Sequence, residues 1–368
     1  MTTQKTVLIV GASGLVGTAA ANSFIRAGWH VIACSRRFPD LIDAGSFEHL
    51  ALDLQDSRAC QLATAKLSDV SHVVYTAVFE LPGLVQGWSD PVQIATNGTM
   101  IRNLIDPLAA HAKLKHVTVL QGTKAYGITQ GPIRIPARES QPRVEHPNFY
   151  WLQEDYIRLA AAEFGFDFTI FRPQLIVGPN HGVVMNLPPV VGIYAAMRRE
   201  EGLPFSFPGG IDGVWEAADA RLVGDACLWA ATQDQARGET YNLTNGEVFS
   251  WLDMWPAMAA TLGVPLGAPE PTPLSVYIPA RAKLWEQIVE KYQLQKLSLT
   301  QLLGESHYYA DLCFAYGAKR APSPTFVSTV KIRQAGFNAA YNSEESFSYW
   351  IRDLQRRRIL PPPSASLG

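Results

Sequence analysis

The fold is decided by the stretch Gly11-Ala12-Ser13-Gly14-Leu15-Val16-Gly17, which joins an apolar run to a segment with helical spacing. The apolar run Thr6–Val10 stops at the first glycine and predicts a buried strand. The segment Leu15–Ala27 has apolar residues at helical spacing and ends before Gly28, which is typical of a helix C-cap. A glycine-rich turn between a strand and a helix leaves the N–H groups of the helix N-terminus free to bind a phosphate.

The glycine spacing in this turn is GxxGxxG, formed by Gly11, Gly14 and Gly17. A dinucleotide-binding turn needs glycine at the tight turn itself, at the closest approach to the pyrophosphate, and where the helix packs on the sheet. A glycine triplet alone is weak evidence, and it gains meaning from the strand before it and the helix after it. The sequence therefore predicts a Rossmann-type nucleotide-binding fold.

Strand-like and helix-like segments alternate from the first strand to Pro173. The further predicted strands are His30–Cys34, His49–Leu52, His72–Thr76, His116–Gln121 and Asp167–Phe171. Long helical patterns cover Pro91–His111 and residues 148–163. This alternation predicts an α/β fold with a doubly wound parallel sheet.

The pattern changes after Pro173, where prolines and glycines crowd residues 179–213 and helical segments dominate the remainder. We therefore predict a nucleotide-binding Rossmann domain over residues 1–178. A smaller, mainly helical substrate-binding lobe is predicted over residues 179–360, with some strands returning to the first domain. The proline-rich segment 361–368 is predicted to be a flexible tail.

The composition is that of a globular protein with a large buried interior, since 47% of the 368 residues are hydrophobic and 17% are charged. The net charge is −2 and no long basic run occurs, so nothing points to nucleic acid or to an anionic membrane surface. No apolar run is long enough to span a bilayer. The 4 cysteines are scattered without metal-binding spacing, which predicts reduced thiols in a cytoplasmic protein and no metal site.

The second predicted strand runs into Cys34-Ser35-Arg36-Arg37, the region that distinguishes NAD from NADP sites. An NAD site usually has an acidic residue there, which binds the ribose 2′-hydroxyl. Two guanidinium groups and no acid favour the 2′-phosphate of NADPH, because arginine binds it through charge-assisted hydrogen bonds. The alternative is that Arg36 and Arg37 are ordinary surface residues. Asp53, after the third strand, either meets the adenine edge or caps the next turn.

Short-chain dehydrogenases usually carry Tyr-x-x-x-Lys on one helix turn, where the lysine charge lowers the tyrosine pKa. Here the corresponding segment is Tyr150-Trp151-Leu152-Gln153-Glu154, with glutamate in place of the lysine. Lys124 follows the fifth predicted strand, and the carboxyl ends of the strands line the active site of a doubly wound sheet. Lys124 is therefore expected to face Tyr150. The alternatives are that Lys124 is a solvated loop lysine and that Tyr150 is an aromatic residue of the packed core.

Two motifs carry a family resemblance. After the fifth strand stands Leu120-Gln121-…-Lys124-Ala125-Tyr126-Gly127, and at the active-site helix stands Asn148-Phe149-Tyr150-…-Glu154-Asp155. These motifs resemble those of the progesterone 5β-reductase/iridoid synthase-like family of extended short-chain reductases. The first has a gap one residue shorter than in plant members, and Trp151 stands where they usually have a second tyrosine. Matching segments continue over nearly the whole chain; they include Met185-Asn186-Leu187, Tyr241–Trp251, Leu284–Val289 and Gly336-Phe337.

The resemblance implies a role for each matching residue. Tyr150 would donate a hydrogen bond or a proton to the substrate carbonyl oxygen, and Lys124 would position Tyr150 and the nicotinamide ribose. The pyrophosphate of NADPH would be held at Gly11, Ser13, Gly14, Leu15 and Gly17, and the 2′-phosphate by Arg36 and Arg37. Other cofactor contacts would come from Asp53, Leu54, Thr76, Ala77, Gln121, Tyr150, Ile176, Val183, Val184 and Met185.

The implied reaction is NADPH-dependent 1,4-reduction of a C=C bond conjugated to a carbonyl, with a small apolar enone as substrate. Two alternatives stay open: 1,2-reduction of the carbonyl on the same fold, and a non-catalytic NADPH-sensing protein. A sugar-nucleotide epimerase is disfavoured by Glu154. The substrate itself and the oligomeric state, for which a homodimer is one option, are left undetermined. Candidates for the pocket lining, which would otherwise be core aromatics, are Trp285, Tyr308, Tyr309, Phe314 and Tyr316.

Overall fold

A parallel sheet of seven strands organises the protein in the computed structural model, which describes residues 4–40 and 45–364. The strands are β1 (Thr6–Val10), β2 (His30–Cys34), β3 (Glu48–Leu50), β4 (Val70–Tyr75), β5 (His116–Leu120), β6 (Asp167–Pro173), β7 (Leu175–Val177), β8 (Val214–Trp215), β9 (Ala217–Asp219), β10 (Glu239–Leu243) and β11 (Phe249–Ser250). The sheet order is β10-β6-β5-β4-β1-β2-β3, and every neighbouring pair is parallel. The predicted doubly wound fold is confirmed. The order reverses between β1 and β4, the place where open sheets of this kind bind ligands.

Helices connect the strands and make up most of the remaining chain. They are α1 (Leu15–Arg26), α2 (Ser57–Thr64), α3 (Leu84–Gly87), α4 (Pro91–His111), α5 (Phe149–Phe164), α6 (Leu187–Glu200), α7 (Ala220–Ala230), α8 (Trp251–Leu262), α9 (Leu274–Tyr277), α10 (Ala282–Tyr292), α11 (Leu299–Leu303), α12 (Ser306–Cys313), α13 (Val330–Gln334) and α14 (Ser343–Arg356). The sequence did not predict α6, because it begins Leu187-Pro188-Pro189. Proline is tolerated there since the first turn of a helix needs no N–H donors.

The chain divides into two compact units. The first takes in the residues up to Gln174, together with Ala220–Thr244 and Val327–Ala339. The second comprises Leu175–Asp219, Asn245–Phe326 and the residues from Ala340 onward. The sequence predicted a boundary at residue 178 with some strands returning to the first domain; in the structure the first segment ends at Gln174, and two later segments, one of which contains β10, belong to the first unit. The physical reason is that β10 pairs with β6, which would otherwise be an exposed sheet edge.

The first unit packs helices on both faces of the sheet. On one face, Leu8 of β1 shares a buried cluster with Ile101 of α4 and Ile157 of α5. Helix α7 approaches α1 closely because Gly224 of α7 has no side chain. A Cβ there would lie only 2.6 Å from the carbonyl oxygen of Ala19 in α1. Burial on both faces explains why the inner strands read as continuous apolar runs in the sequence.

The second unit contains two small sheets, β7 with β9 and β8 with β11, and an aromatic core. The rings of Trp255 and Phe205 stack at 4.6 Å, and Phe314 meets Trp251 edge-on at 4.9 Å. Near the chain end, Arg199 donates hydrogen bonds to the carbonyl oxygen of Pro362 and to Ser364 Oγ. Residues 365–368 of the predicted tail lie outside the described residues. Within the described ranges, no helix has both the length and the apolar character that crossing a membrane requires.

Candidate active site

The glycine turn between β1 and α1 has no room for side chains. Gly11 has φ +84°, and a Cβ there would lie 2.8 Å from both Thr76 Oγ1 and the backbone nitrogen of Ala77. A Cβ at Gly17 would lie 2.1 Å from the carbonyl oxygen of Gly11. Glycine is therefore required at both positions, by close packing of the turn against the end of β4 and the start of α1.

The N-terminus of α1 is left open by this turn. The helix begins at Leu15, and its N-cap is Gly14, which has no side chain with which to cap the first N–H groups. The first turn carries no acidic residue. The partial positive charge of the helix end is thus available to a phosphate. Ser13, Gly14 and Leu15 stand where the sequence predicted contacts with the pyrophosphate, and the turn fits a dinucleotide.

The ends of neighbouring strands assemble around the turn. Thr76 Oγ1 donates a hydrogen bond to the carbonyl oxygen of Val10 at 2.8 Å, which joins the ends of β4 and β1. The N–H groups of Gly11 and Ala12 both donate to the carbonyl oxygen of Cys34, at the end of β2. Thr76 and Ala77 therefore adjoin the glycine turn, and their role in a cofactor groove stays a prediction.

The residues after β2 and β3 lie at the same edge of the sheet. Arg36 and Arg37 are both exposed and follow Cys34, whose carbonyl oxygen accepts from the glycine turn; their binding of a ribose phosphate stays a prediction. Asp53 caps a turn, since its Oδ1 accepts from the N–H of Gln55 at 3.1 Å. Leu54 is buried in the core. The observed contact of Asp53 is therefore the turn cap, one of the two roles considered for it. The contacts of Asp53 and Leu54 with adenine stay predictions.

Lys124, after the carboxyl end of β5, and Tyr150, in the first turn of α5, lie close together. Lys124 lies in a 3₁₀ turn, Thr123–Tyr126, directly after β5. Its Nζ is 5.5 Å from the centre of the Tyr150 ring and 4.3 Å from that of Trp88. Aromatic faces attract an ammonium group at these distances. The expectation that Lys124 faces Tyr150 from a neighbouring strand agrees with this geometry.

Burial and the neighbouring charges shift the pKa values of both Lys124 and Tyr150. Burial lowers the pKa of Lys124 to about 8, while the carboxylate of Glu80 acts in the opposite direction. Burial raises the pKa of Tyr150, Glu80 adds to the rise, and the guanidinium of Arg172 opposes it. The Tyr150 hydroxyl therefore stays protonated and is suited to donate a hydrogen bond. Sequence reasoning missed Glu80, which lies in a segment without any recognisable motif.

The hydroxyl of Tyr150 sits against the backbone at the end of β5. An ideal Cβ built on Gly122 would be 3.2 Å from this hydroxyl oxygen. Gly122 has an extended backbone, with φ −169° and ψ −168°, so no left-handed conformation demands glycine there. The glycine instead leaves room for the hydroxyl, a role that the motif alone did not reveal.

Glu154, in the position of the usual lysine, belongs to a buried ionic network. Gln121 Nε2 donates to Glu154 Oε2 at 2.8 Å, and Arg172 Nε donates to Gln121 Oε1 at 2.8 Å. Arg158 bonds the other carboxylate oxygen at 2.9 Å. The side chain of Gln121, predicted to line the cofactor groove, is thus engaged with its protein neighbours on both sides of its amide group.

The remaining predicted cofactor residues lie in the second unit. Ile176 is the central residue of β7. The segment containing Val183, Val184 and Met185 is held by residues of α11 and α12. Ser306 Oγ donates to the carbonyl oxygen of Val183 at 2.6 Å, and the N–H of Gly182 donates to the carbonyl of Leu302. Their predicted roles at the nicotinamide stay predictions.

The aromatic residues proposed for the pocket lining divide into two groups. Trp285 and Phe314 are buried in the core of the second unit, which is the alternative that the sequence left open. Tyr308 and Tyr316 are exposed, and Tyr309 is partly buried. Aromatic content alone does not distinguish a pocket wall from a packed core, because both bury apolar area in the same way.

Comparisons with known proteins agree with the fold and with the predicted family. The family model described as NAD dependent epimerase/dehydratase family matches residues 7–244. An (S)-8-oxocitronellyl enol synthase of Antirrhinum majus is 27% identical, over 98% of this chain and 94% of its own length. A 3-oxo-Delta(4,5)-steroid 5-beta-reductase of Arabidopsis thaliana is 28% identical, over 97% of this chain and 94% of its own length. These relatives confirm the predicted family resemblance.

A solved structure shares the fold at much lower sequence identity. The UDP-glucose 4-epimerase of Thermus thermophilus, determined in complex with NAD, superposes with a TM-score of 0.63 at 16% identity. The match covers 95% of this chain and 99% of that chain. At this identity the likeness is one of fold alone.

Proposed function

This chain belongs to the NAD dependent epimerase/dehydratase family, and within that family we propose that it is an NADPH-dependent ene-reductase. The proposed reaction is 1,4-addition of hydride to the C=C bond of an α,β-unsaturated ketone or aldehyde. The observation that carries the proposal is the exchange of the usual helix lysine for Glu154, with Lys124 placed beside Tyr150 from the end of β5. The name of the Arabidopsis relative denotes a ketone conjugated to a C=C bond, which supports this substrate class.

The electrostatics of Tyr150 favour this chemistry over alcohol oxidation. A tyrosine that removes a proton from an alcohol works best with a lowered pKa, which the lysine of Tyr-x-x-x-Lys provides. Tyr150 instead has a raised pKa, because burial and Glu80 disfavour its ionised form. A protonated hydroxyl is what an enolate needs as a hydrogen-bond donor.

The residues of the chain have separate tasks in this mechanism. NADPH, when bound, supplies the hydride that reaches the β-carbon of the substrate. Tyr150 donates a hydrogen bond to the carbonyl oxygen, where negative charge develops as the enolate forms. Lys124 adds a positive charge close to the same ring. The enolate then takes a proton from water at its α-carbon, giving the saturated carbonyl compound.

NADPH, rather than NADH, is part of the proposal. Arg36 and Arg37 are exposed at the edge of the sheet that holds the glycine turn, and no acidic residue occupies the end of β2. Guanidinium groups bind a ribose 2′-phosphate through several charge-assisted hydrogen bonds, which a 2′-hydroxyl cannot match.

The test replaces Tyr150 with Phe and measures NADPH oxidation with a panel of enones. We expect kcat to fall about 100-fold, the usual cost of one well-placed oxyanion donor. Tyr156→Phe is the matched control, because Tyr156 is a buried tyrosine of the same helix whose hydroxyl bonds Asp106 instead. Unchanged turnover in Tyr150→Phe would contradict the proposed role.

Product analysis separates the competing functions. A saturated ketone or aldehyde supports 1,4-reduction, and an allylic alcohol supports 1,2-reduction of the carbonyl. Tight NADPH binding without turnover of any enone or carbonyl would instead support the sensing protein. The proximity of Lys124 to Tyr150 argues against a purely sensing role, since cofactor binding alone does not require a buried cation beside a buried tyrosine.

A further inference from the structure

We propose that Trp88 positions Lys124: its indole ring is the nearest wall of an aromatic cage that holds the Lys124 ammonium group beside Tyr150. The inference rests on the proposed enone reduction, in which Lys124 supplies a positive charge near the substrate oxygen. Trp88 acts through Lys124 and is therefore a positioning residue.

Three aromatic rings surround the ammonium group of Lys124. Its Nζ lies 4.3 Å from the centre of the Trp88 ring, 5.5 Å from that of Tyr150 and 5.9 Å from that of Phe149. All three distances fall within the range of about 6 Å over which a ring face attracts a cation, and indole attracts it most strongly. Trp88 therefore makes the closest and the strongest of the three ring contacts.

Two walls of this cage are fixed by packing at the start of α5. Phe149 and Tyr150 are both buried and meet edge to face, with their ring centres 4.8 Å apart. They share a small apolar cluster with Ala125, which directly follows Lys124 in the 3₁₀ turn. The backbone beside Lys124 is thus packed against two of the rings that contact its ammonium group.

The third wall, Trp88, lies in a segment that two buried amides of α4 hold in place. Asn97 binds both the N–H and the carbonyl oxygen of Phe79 at 2.8 Å, soon after β4 ends. Gly87, which directly precedes Trp88, packs so closely on Gln93 that a Cβ there would lie 2.9 Å from Gln93 Oε1. Breaking such buried contacts would leave polar groups without partners, which is costly. The indole ring therefore has a defined position over the ammonium group.

An aromatic ring and a carboxylate differ in their effect on the charge of Lys124. Both attract an ammonium group, but a contacting carboxylate neutralises it, whereas a ring face leaves the full charge available to a developing enolate. Within the described ranges, the direct contacts found for Lys124 Nζ are those with the three rings. Burial lowers the pKa of Lys124, and the carboxylate of Glu80 opposes this effect. Attraction by Glu80 is therefore the competing explanation for the position of Lys124.

The experiment replaces Trp88 with mono-, di- and trifluorotryptophan and measures kcat and KM with NADPH and a simple enone. Fluorine withdraws electron density from the ring face and weakens its attraction for a cation, while the shape of the side chain is nearly kept. We expect kcat to fall with each added fluorine, to roughly 10-fold below the wild-type value in the trifluoro protein. The KM for the enone should change by less than about 2-fold, because Trp88 acts through Lys124 rather than by binding the substrate.

Trp29 is the matched control. Lys5 Nζ lies 5.1 Å from the centre of its ring, but Trp29 directly precedes β2 and so lies at the opposite end of that strand from the glycine turn. The same fluorine series at Trp29 should leave kcat unchanged. A kcat that does not depend on fluorination at Trp88 overturns the proposal, and so does an equal dependence at Trp29.

Glu80→Gln separates the effect of the ring from that of the carboxylate. In this background the fluorine series at Trp88 should be at least as steep, because the rings are then the main remaining attraction for Lys124. Loss of the dependence on fluorine in Glu80→Gln would overturn the proposal, since the carboxylate would then be the group that places the lysine.

A resonance of Lys124 itself separates this inference from the proposed function. In protein made with lysine ¹³C-labelled at Cε, the Hε signal of Lys124 is identified by its absence from Lys124→Met. The ring currents of the cage should displace this signal upfield of the other lysine signals. Trp88→Leu should lose most of the displacement, and Trp88→Phe, which keeps a ring, should lose less. If the wild type reduces no enone, the proposed function fails, but these shifts still decide the role of Trp88. Equal shifts in the wild type and Trp88→Leu refute that role.

Discussion

Replacing Gly122 with alanine is expected to slow catalysis without weakening the fold. The added methyl group would lie 3.2 Å from the Tyr150 hydroxyl oxygen and 3.7 Å from the carbonyl oxygen of Pro173. Only the first contact is shorter than an ordinary van der Waals separation. The backbone at Gly122 is fully extended, so alanine is accommodated there without conformational strain. The substitution therefore acts mainly on the position of one hydroxyl group.

The size of the effect follows from that contact. The hydroxyl oxygen must move by a few tenths of an ångström, which lengthens its hydrogen bond to the substrate oxygen. Complete loss of such a donor costs about 3 kcal/mol in the transition state. A displaced donor should lose part of this, about 1–2 kcal/mol, which corresponds to a decrease of roughly 5- to 30-fold in kcat. The free energy of unfolding should stay the same or rise by up to about 1 kcal/mol, because alanine restricts the unfolded chain.

The assay measures kcat and KM with an enone, together with thermal denaturation, for Gly122→Ala in two backgrounds. In the wild-type background we expect the decrease in kcat. In the Tyr150→Phe background we expect no further decrease, because the oxygen that the methyl group displaces is absent. An equal loss in both backgrounds would refute the reasoning, since the effect would then arise elsewhere. An unchanged kcat in the wild-type background would refute it as well.

Further predictions concern Lys124 and the cofactor turn. The rate of enone reduction should decline above about pH 8 as Lys124 deprotonates, and a rate that rises through this range would contradict its assignment as the titrating cation. Burial lowers the Lys124 pKa below its unfolded value of 10.5, so the free energy of unfolding should increase from about pH 8 to 10.5. Lys124→Met should abolish this increase, as measured by thermal denaturation. The same variant should melt about 2–4 °C higher at neutral pH while losing activity, and a lower melting temperature would speak against an electrostatic cost. Arg36→Ala combined with Arg37→Ala should raise the KM for NADPH roughly 10- to 100-fold and leave that for NADH unchanged, and equal effects on both cofactors would remove the 2′-phosphate argument. Gly17→Ala should abolish nucleotide binding in a calorimetric titration, since its Cβ would lie 2.1 Å from the Gly11 carbonyl oxygen, and normal binding would show that the turn can rearrange.

The parts of the fold that sequence predicted well are governed by local chemistry. The strand ending before Gly11 and the helix following Gly14 were both evident, because apolar periodicity and glycine-marked ends act over a few residues. The helix α6 was missed because its prolines are read as loop signals unless the helix start is known. The sequence predicted that some strands return to the first domain but not that β10 pairs with β6, since strand pairing across distant segments has no local signature.

The sequence predicted which residues meet at the candidate site but not the charged groups that act on Tyr150. The pairing of Lys124 with Tyr150 followed from the rule that strand carboxyl ends converge, and the structure places them together. Glu80 and Arg172 were not identified, because their influence on Tyr150 depends on three-dimensional proximity rather than on spacing in a motif. The hydrogen bonds that the Gln121 amide makes to Glu154 and Arg172 were likewise not evident from its motif, while its predicted cofactor contact stays a prediction.

The pairing of β10 with β6 has a consequence for synthesis of the protein. On the ribosome, β6 is complete once Pro173 has been made, but its outer partner is complete only after Leu243. Throughout that interval the nascent sheet presents an unpaired apolar edge, which is a template for pairing with another chain. Translation pauses or chaperone binding in this window should therefore govern the yield of soluble protein. A fragment that ends soon after β6 keeps that edge permanently open, so residues 1–178 should aggregate where the full chain does not.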